Sequence, residues 1–187
     1  MCVAREFNPD AVLICGSDDW LTSNWTEICA EEINRGYDLV GKTVCYMCNA
    51  SPKKPLDLIR FAYQFNEPPI GAGRLISRSV LDKLNWDLYP PTPRALDAGS
   101  WLKMRGVGGT YHLLNDREDM WLLCIKSNWE ALSSWELLLQ YTITEPSYAA
   151  AKHIKNGRAW IDKFYPNSSI DKYLEGKGNT IWALPQK

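Results

Sequence analysis

The sequence predicts an α/β fold built on a mixed sheet. Three observations carry that reading. A run of apolar, mostly branched residues from Ala11 to Cys15 has the character of a buried strand, a segment of helical period follows it, and a middle section of alternating apolar residues reads as a hairpin. A length of 187 residues suits one domain of ordinary size, or a domain with an appendage. The expected division is an α/β body over residues 1–145 and a C-terminal helical tail over residues 146–187.

The first strand breaks at Gly16-Ser17 and delivers two adjacent carboxylates, Asp18 and Asp19, at its carboxyl end. Open α/β sheets bind ligands at that end, and carboxylates there suit a hard divalent cation shared with substrate phosphates. An equally simple role for Asp18 or Asp19 is to cap the next helix or shape a turn. Thr22-Ser23 can cap a helix running to about Arg35, with Ile28, Cys29, Glu32 and Ile33 on one face and Gly36 as the stop.

Tyr37 to Gly41 and Thr43 to Cys48 read as strands, Ser51 to Pro55 as a turn, and Leu56 to Phe65 as the returning strand of the hairpin. After Pro68-Pro-Ile-Gly-Ala-Gly-Arg74 comes a strand or turn at Leu75-Ile76. A helix then starts at Ser77 or Ser79, because Val80, Leu81 and Leu84 share a face. Tyr89 to Pro93 is a stiff loop, and Leu96 to Met104 a short helix. Thr110 to Leu114 and Met120 to Ile125 read as strands around a charged turn, Asn115 to Asp119, whose acids Asp116, Glu118 and Asp119 look like a solvated hairpin tip. The tail carries a helix, Tyr148 to Phe164, and then a loose polar end.

Composition narrows the function classes. Hydrophobic residues make up 45% and charged residues 23%, the balance of a soluble globular protein. A net charge of −1 argues against a broad electrostatic grip on nucleic acid. The amino terminus lacks the long apolar core of a signal peptide, and no window approaches a membrane-spanning length, so a cytoplasmic protein is expected. Its six cysteines are then expected as free thiols. Cys45 and Cys48 have CxxC spacing, but alternation along a strand sends them to opposite faces, and no partner set completes a zinc site. Most of the nine Trp and nine Tyr are expected in packing.

Three segments in order, Ile14-Cys-Gly-Ser-Asp-Asp-Trp20, Ile70-Gly-Ala-Gly-Arg-Leu-Ile-Ser-Arg78 and Leu96-Asp-Ala-Gly-Ser-Trp101, resemble glycosyltransferases of the A-type fold. The match is to family-2-like enzymes of the kind met in bacteriophage genomes, and it covers roughly Asp10 to Asn128. The resemblance implies a nucleotide-sugar donor, an acceptor hydroxyl and a divalent metal, manganese or magnesium, held by Asp18 with Asp19 beside it. Family members often carry a further carboxylate where this chain has Gly16. The resemblance places Gly71, Gly73 and Arg74 beside the sugar and acceptor, where glycines permit close approach and Arg74 pairs with a phosphate or hydroxyl; alone, the segment reads as a turn with a surface Arg. It makes Asp97 the catalytic base, whose plain alternative is a carboxylate favoured at a helix start, and turns Trp101 to the same pocket. Some transferases of this fold use a late His as a third ligand, and His112 suits that better than His153.

The resemblance also implies a first nucleotide-gripping half that these residues do not contain. The expected consequences are an oligomer or partner chain that covers the exposed sheet edge, with Trp160, Phe164, Tyr165, Tyr173 and Trp182 as cover. A glycosyltransferase-like protein is therefore expected. The alternative is a non-catalytic binding or assembly protein on a truncated transferase scaffold, and sugar transfer to phage DNA bases is a third reading that the near-neutral charge disfavours.

Overall fold

The computed structural model of the protein describes residues 2–49, 56–63, 68–91, 96–126 and 149–166. Among the described residues the helices are α1 (Cys2–Glu6), α2 (Trp25–Asn34), α3 (Arg78–Lys83), α4 (Leu96–Gly106) and α5 (Gly157–Phe164). The strands are β1 (Ala11–Leu13), β2 (Asp19–Leu21), β3 (Leu39–Gly41), β4 (Val44–Asn49), β5 (Leu58–Tyr63), β6 (Leu75–Ser77), β7 (Tyr111–Leu113), β8 (Leu122–Lys126) and β9 (Ala149–His153). The architecture is α/β with two mixed sheets, a four-stranded one ordered β1-β6-β3-β7 and a five-stranded one ordered β2-β8-β4-β5-β9.

The period-two pattern of the strands divides the interior into three cores. In the four-stranded sheet, Val40 and Leu75 face the first core while their neighbours Leu39 and Ile76 face the second, where α3 and α4 add Val80, Leu81, Trp101 and Met104. In β4, Cys45 and Met47 join the first core while Tyr46 and Cys48 face a third, covered by Ile161 and Tyr165 at α5. The CxxC pair thus splits between two cores, as alternation requires. The first core joins the sheets through α2, whose buried Trp25, Ile28, Cys29 and Glu32 recur at the i, i+3, i+4, i+7 spacing of one helix face. Gly36, at φ +102°, follows α2, in the left-handed region where glycine is the favoured residue.

Local signals place several elements where the sequence predicts them. The Ser77 hydroxyl accepts the Val80 N–H at 3.4 Å and caps α3. β4 and β5 pair antiparallel as the expected hairpin, whose turn at residues 51–55 lies outside the described residues.

Three expectations are corrected. The strand starting at Ala11 is half-buried rather than buried and lies at the edge of its sheet, antiparallel to β6. Met120 to Ile125 does not form a hairpin with Thr110 to Leu114, because β7 runs parallel to β3 in one sheet and β8 parallel to β4 in the other. The charged segment between them is a passage from sheet to sheet, not a hairpin tip. A helix over Tyr148 to Phe164 gives way to β9 followed by α5, since β9 satisfies the edge of β5 with an antiparallel ladder. No helix among the described residues is long and apolar enough to cross a membrane. Tyr173 and Trp182 lie outside the described residues, whereas Trp160, Phe164 and Tyr165 pack on the third core.

Candidate functional site

The acidic turn is formed where the chain leaves one sheet for the other. Beyond β1 the ladder continues through Ile14, whose N–H donates to Arg74 O at 2.8 Å and whose carbonyl accepts the Gly73 N–H at 2.7 Å. The chain then turns and re-enters as β2, with Asp19 opposite Cys124 and the Asp18 carbonyl accepting the Ile125 N–H at 2.8 Å. With the backbone of Asp18 held in this way, its carboxylate is left to meet Lys126 Nζ at 2.5 Å. Asp19 Oδ2 accepts the Gly16 N–H at 2.7 Å.

Gly16 lets the two carboxylates lie close to the backbone. A Cβ there would sit 2.7 Å from Asp19 Oδ2 and 2.9 Å from Asp18 Oδ1, closer than real Cβ contacts come. The same two distances mean that both carboxylates converge on one point beside the bare backbone. A side chain at position 16, where the resemblance often has a carboxylate, would displace the ends of both carboxylates.

Pro69–Arg74 is the floor next to this turn, and buried side chains hold it. Trp25 Nε1 donates to Gly73 O at 2.9 Å, and Gly73 adopts φ +76° with its Cβ position only 2.5 Å from the Trp25 ring, so a side chain there is excluded twice. Arg74 is 2% exposed. Its guanidinium donates to Ile70 O at 3.0 Å, Asp97 O at 3.2 Å and Ser100 Oγ at 2.7 Å, and also to Pro69 O. It therefore clamps its own loop to the start of α4 rather than facing a phosphate. Burial lowers its affinity for a proton and the nearby Asp97 opposes that, but a guanidinium stays charged.

Asp97 opens α4 with its side chain about one-third exposed. Oδ2 accepts the Gly71 N–H at 2.8 Å, and Oδ1 lies 3.9 Å from Arg74. Gly71 is as constrained as Gly16, since a Cβ there would sit 2.1 Å from Asp97 Oδ1. Trp101 lies one turn on, but its ring is buried in the second core, edge-on to Tyr111 at 4.6 Å. It is a packing residue and does not line an open sugar site.

The Asp18–Asp19 donor set suits a divalent cation. Two carboxylates that converge beside an exposed glycine are hard oxygen ligands of the kind magnesium and manganese accept, with water and phosphate oxygens completing the shell. Among the described residues no group of three or more His, Cys, Asp or Glu side chains is disposed to hold a metal, so a cation here would rest on Asp18 and Asp19. The neighbouring Cys15 thiol is pushed up first by burial, then by Asp19 and Asp18, and stays protonated. His112 is elsewhere, on β7 at the opposite edge of its sheet from β1, with Nδ1 2.7 Å from buried Glu32 and its ring on Tyr37. His153 pairs with Asp57 at 3.0 Å.

Two participants escape sequence reading. Lys126 pairs with Asp18 across 108 positions, and Trp25 fixes Gly73 from α2. Both depend on which strands become neighbours, and no local motif marks them. No family model, no curated protein and no solved structure matches the chain.

Proposed function

We propose that the protein is a metal-dependent glycosyltransferase-like protein that moves a sugar from a nucleotide-sugar donor to an acceptor hydroxyl. One observation carries this reading: Ile14, at the entry to the acidic turn, is hydrogen-bonded to Gly73 and Arg74, and Gly71 and Arg74 are hydrogen-bonded in turn to Asp97 and Ser100 at the start of α4. Asp97 is the proton acceptor. With Oδ2 engaged by Gly71 N–H, Oδ1, 3.9 Å from Arg74, would take the proton of the acceptor hydroxyl as it attacks the anomeric carbon. The 3.9 Å approach of Arg74 holds that carboxylate in orientation. Asp18 and Asp19 would hold the cation, which when bound offsets the charge developing on the departing nucleoside diphosphate. Lys126 then exchanges its carboxylate partner for a phosphate oxygen.

The test is calorimetric titration of the full chain with manganese and uridine or guanosine diphosphate sugars, followed by assay of nucleoside diphosphate release. Asp18→Asn is expected to abolish metal-dependent donor binding. Asp97→Asn, which keeps an acceptor for Gly71 N–H, is expected to keep donor affinity and lower turnover by roughly 10²–10⁴-fold. Absence of donor binding by the folded chain in manganese would overturn the proposal.

A non-catalytic binding or assembly protein is the second reading. The burial of Trp101 and the engagement of Arg74 by its own loop favour it, since both are scaffold roles. Donor binding with no nucleotide release under any acceptor, together with a stable oligomer through the β1 edge, would select it.

A further inference from the structure

We propose that the cavity between the five-stranded sheet and the passage from β7 to β8 binds a small organic oxyanion, an acidic group carried on a flat ring. The cavity holds about 180 Å³ and is lined by Lys42, Tyr46, Arg60, Arg117, Glu118 and Trp121, among others. None of these belongs to the acidic turn, the Pro69–Arg74 segment or α4.

Three features point to an anion. Lys42 is buried, with Nζ donating to Arg117 O at 2.7 Å and Met120 O at 2.9 Å, and it forms no ion pair among the described residues. Buried ammonium groups ordinarily have an anionic partner. Arg60 lies across the β4–β5 ladder from Tyr46, close enough to bond its hydroxyl. The indole N–H of Trp121 is buried and has no acceptor among the described residues, a group that calls for a water or ligand oxygen.

The charges around Lys42 act in both directions. Burial is the main influence lowering its proton affinity. Asp119 and Asp116 oppose it, and Arg117 and Arg60 add to it. Asp119 is already engaged by Arg117 at 2.7 Å and by Asn24, leaving Glu118 as the carboxylate of the cavity wall. Tyr46 and Trp121, with ring centroids 4.9 Å apart, supply an aromatic wall for a planar ligand. A ligand oxyanion among Lys42, Arg60 and the Trp121 N–H satisfies all three donors at once.

The experiment follows the Trp121 indole N–H by two-dimensional NMR of the full chain, assigned with Trp121→Phe. Sodium benzoate is the probe, with inorganic phosphate and neutral benzyl alcohol as parallel arms. The expected result is a saturable shift with benzoate, none with benzyl alcohol, and an affinity at least about tenfold weaker in Lys42→Met and in Arg60→Gln. A shift with phosphate as well identifies the charged head as sufficient, and a shift with benzoate alone assigns the ring a share of the binding. No saturable shift in either anion arm, an equal shift with benzyl alcohol, or full affinity in Arg60→Gln overturns the proposal. Arg60, half-exposed on β5, decides the matter if Lys42→Met does not fold.

Discussion

Two places where the chain passes between its sheets handle charge in opposite ways. At Gly16–Asp18 the Asp18 carbonyl accepts the Ile125 N–H, the Gly16 N–H is held by Asp19 Oδ2, and the carboxylates are left partly exposed and convergent. At Lys42–Thr43 the side chains do that work. Lys42 Nζ meets the carbonyls of Arg117 and Met120, and Asn115 Oδ1 accepts the Thr43 N–H at 2.8 Å. The first passage therefore keeps its carboxylates at the surface, Asp18 against the Lys126 ammonium. The second encloses its charge beside a cavity and leaves it without a carboxylate partner among the described residues.

Substitutions sharpen this contrast to different degrees. The largest effect is expected at Gly73→Ala, which must adopt φ +76° and push against the Trp25 ring 2.5 Å away. A left-handed non-glycine costs about 1–2 kcal/mol and overpacking about 1–3 kcal/mol, so urea unfolding should register a loss of roughly 3 kcal/mol. A loss below about 1 kcal/mol would mean that the floor of the acidic turn is looser than its contacts imply.

Lys42→Met tests the enclosed passage. Burial, the largest influence, brings the Lys42 proton affinity down from 10.5 to about 8. Between those values the unfolded chain binds more protons than the folded one, so folding gains stability from this group as pH rises through that window and is indifferent to it below pH 8. Urea melts of the wild type and Lys42→Met should show the wild type gaining on the variant from about pH 8 to 10.5, and a constant difference would break the comparison.

Lys126→Ala should have the smallest effect on stability, under about 1 kcal/mol for a partly exposed pair. It should nevertheless strengthen manganese binding several-fold, because the ammonium competes for Asp18. Weakened manganese binding would reverse the assignment of the two groups as competitors.

The elements legible in the sequence are those whose cause is local. The stripe of α2, the Ser77 cap and the opposed faces of Cys45 and Cys48 follow from side-chain period and capping chemistry. What sequence reading gets wrong depends on long-range pairing. Asn115 to Asp119 has every mark of a hairpin tip, yet β7 and β8 each find a parallel partner elsewhere. Ala149–His153 has an alanine-rich helical composition, and the open edge of β5 overrides it. In the candidate site Asp18, Asp19 and Asp97 are legible as motifs, whereas the hydrogen bonds that tie Pro69–Arg74 to Ile14 and to α4 are not. The resemblance points Arg74 and Trp101 at substrate, whereas Arg74 is buried in the hydrogen bonds of its own loop and Trp101 in the second core.

The clamp formed by Arg74 has a mechanical corollary. Its main chain is laced to Ile14 while its guanidinium grips the first turn of α4, so tilting the acidic turn drags Asp97 along with it. The spacing between the chain at Ile14 and Asp97 is thus governed by a buried strut, and strain applied at one end arrives at the other without any loop having to close.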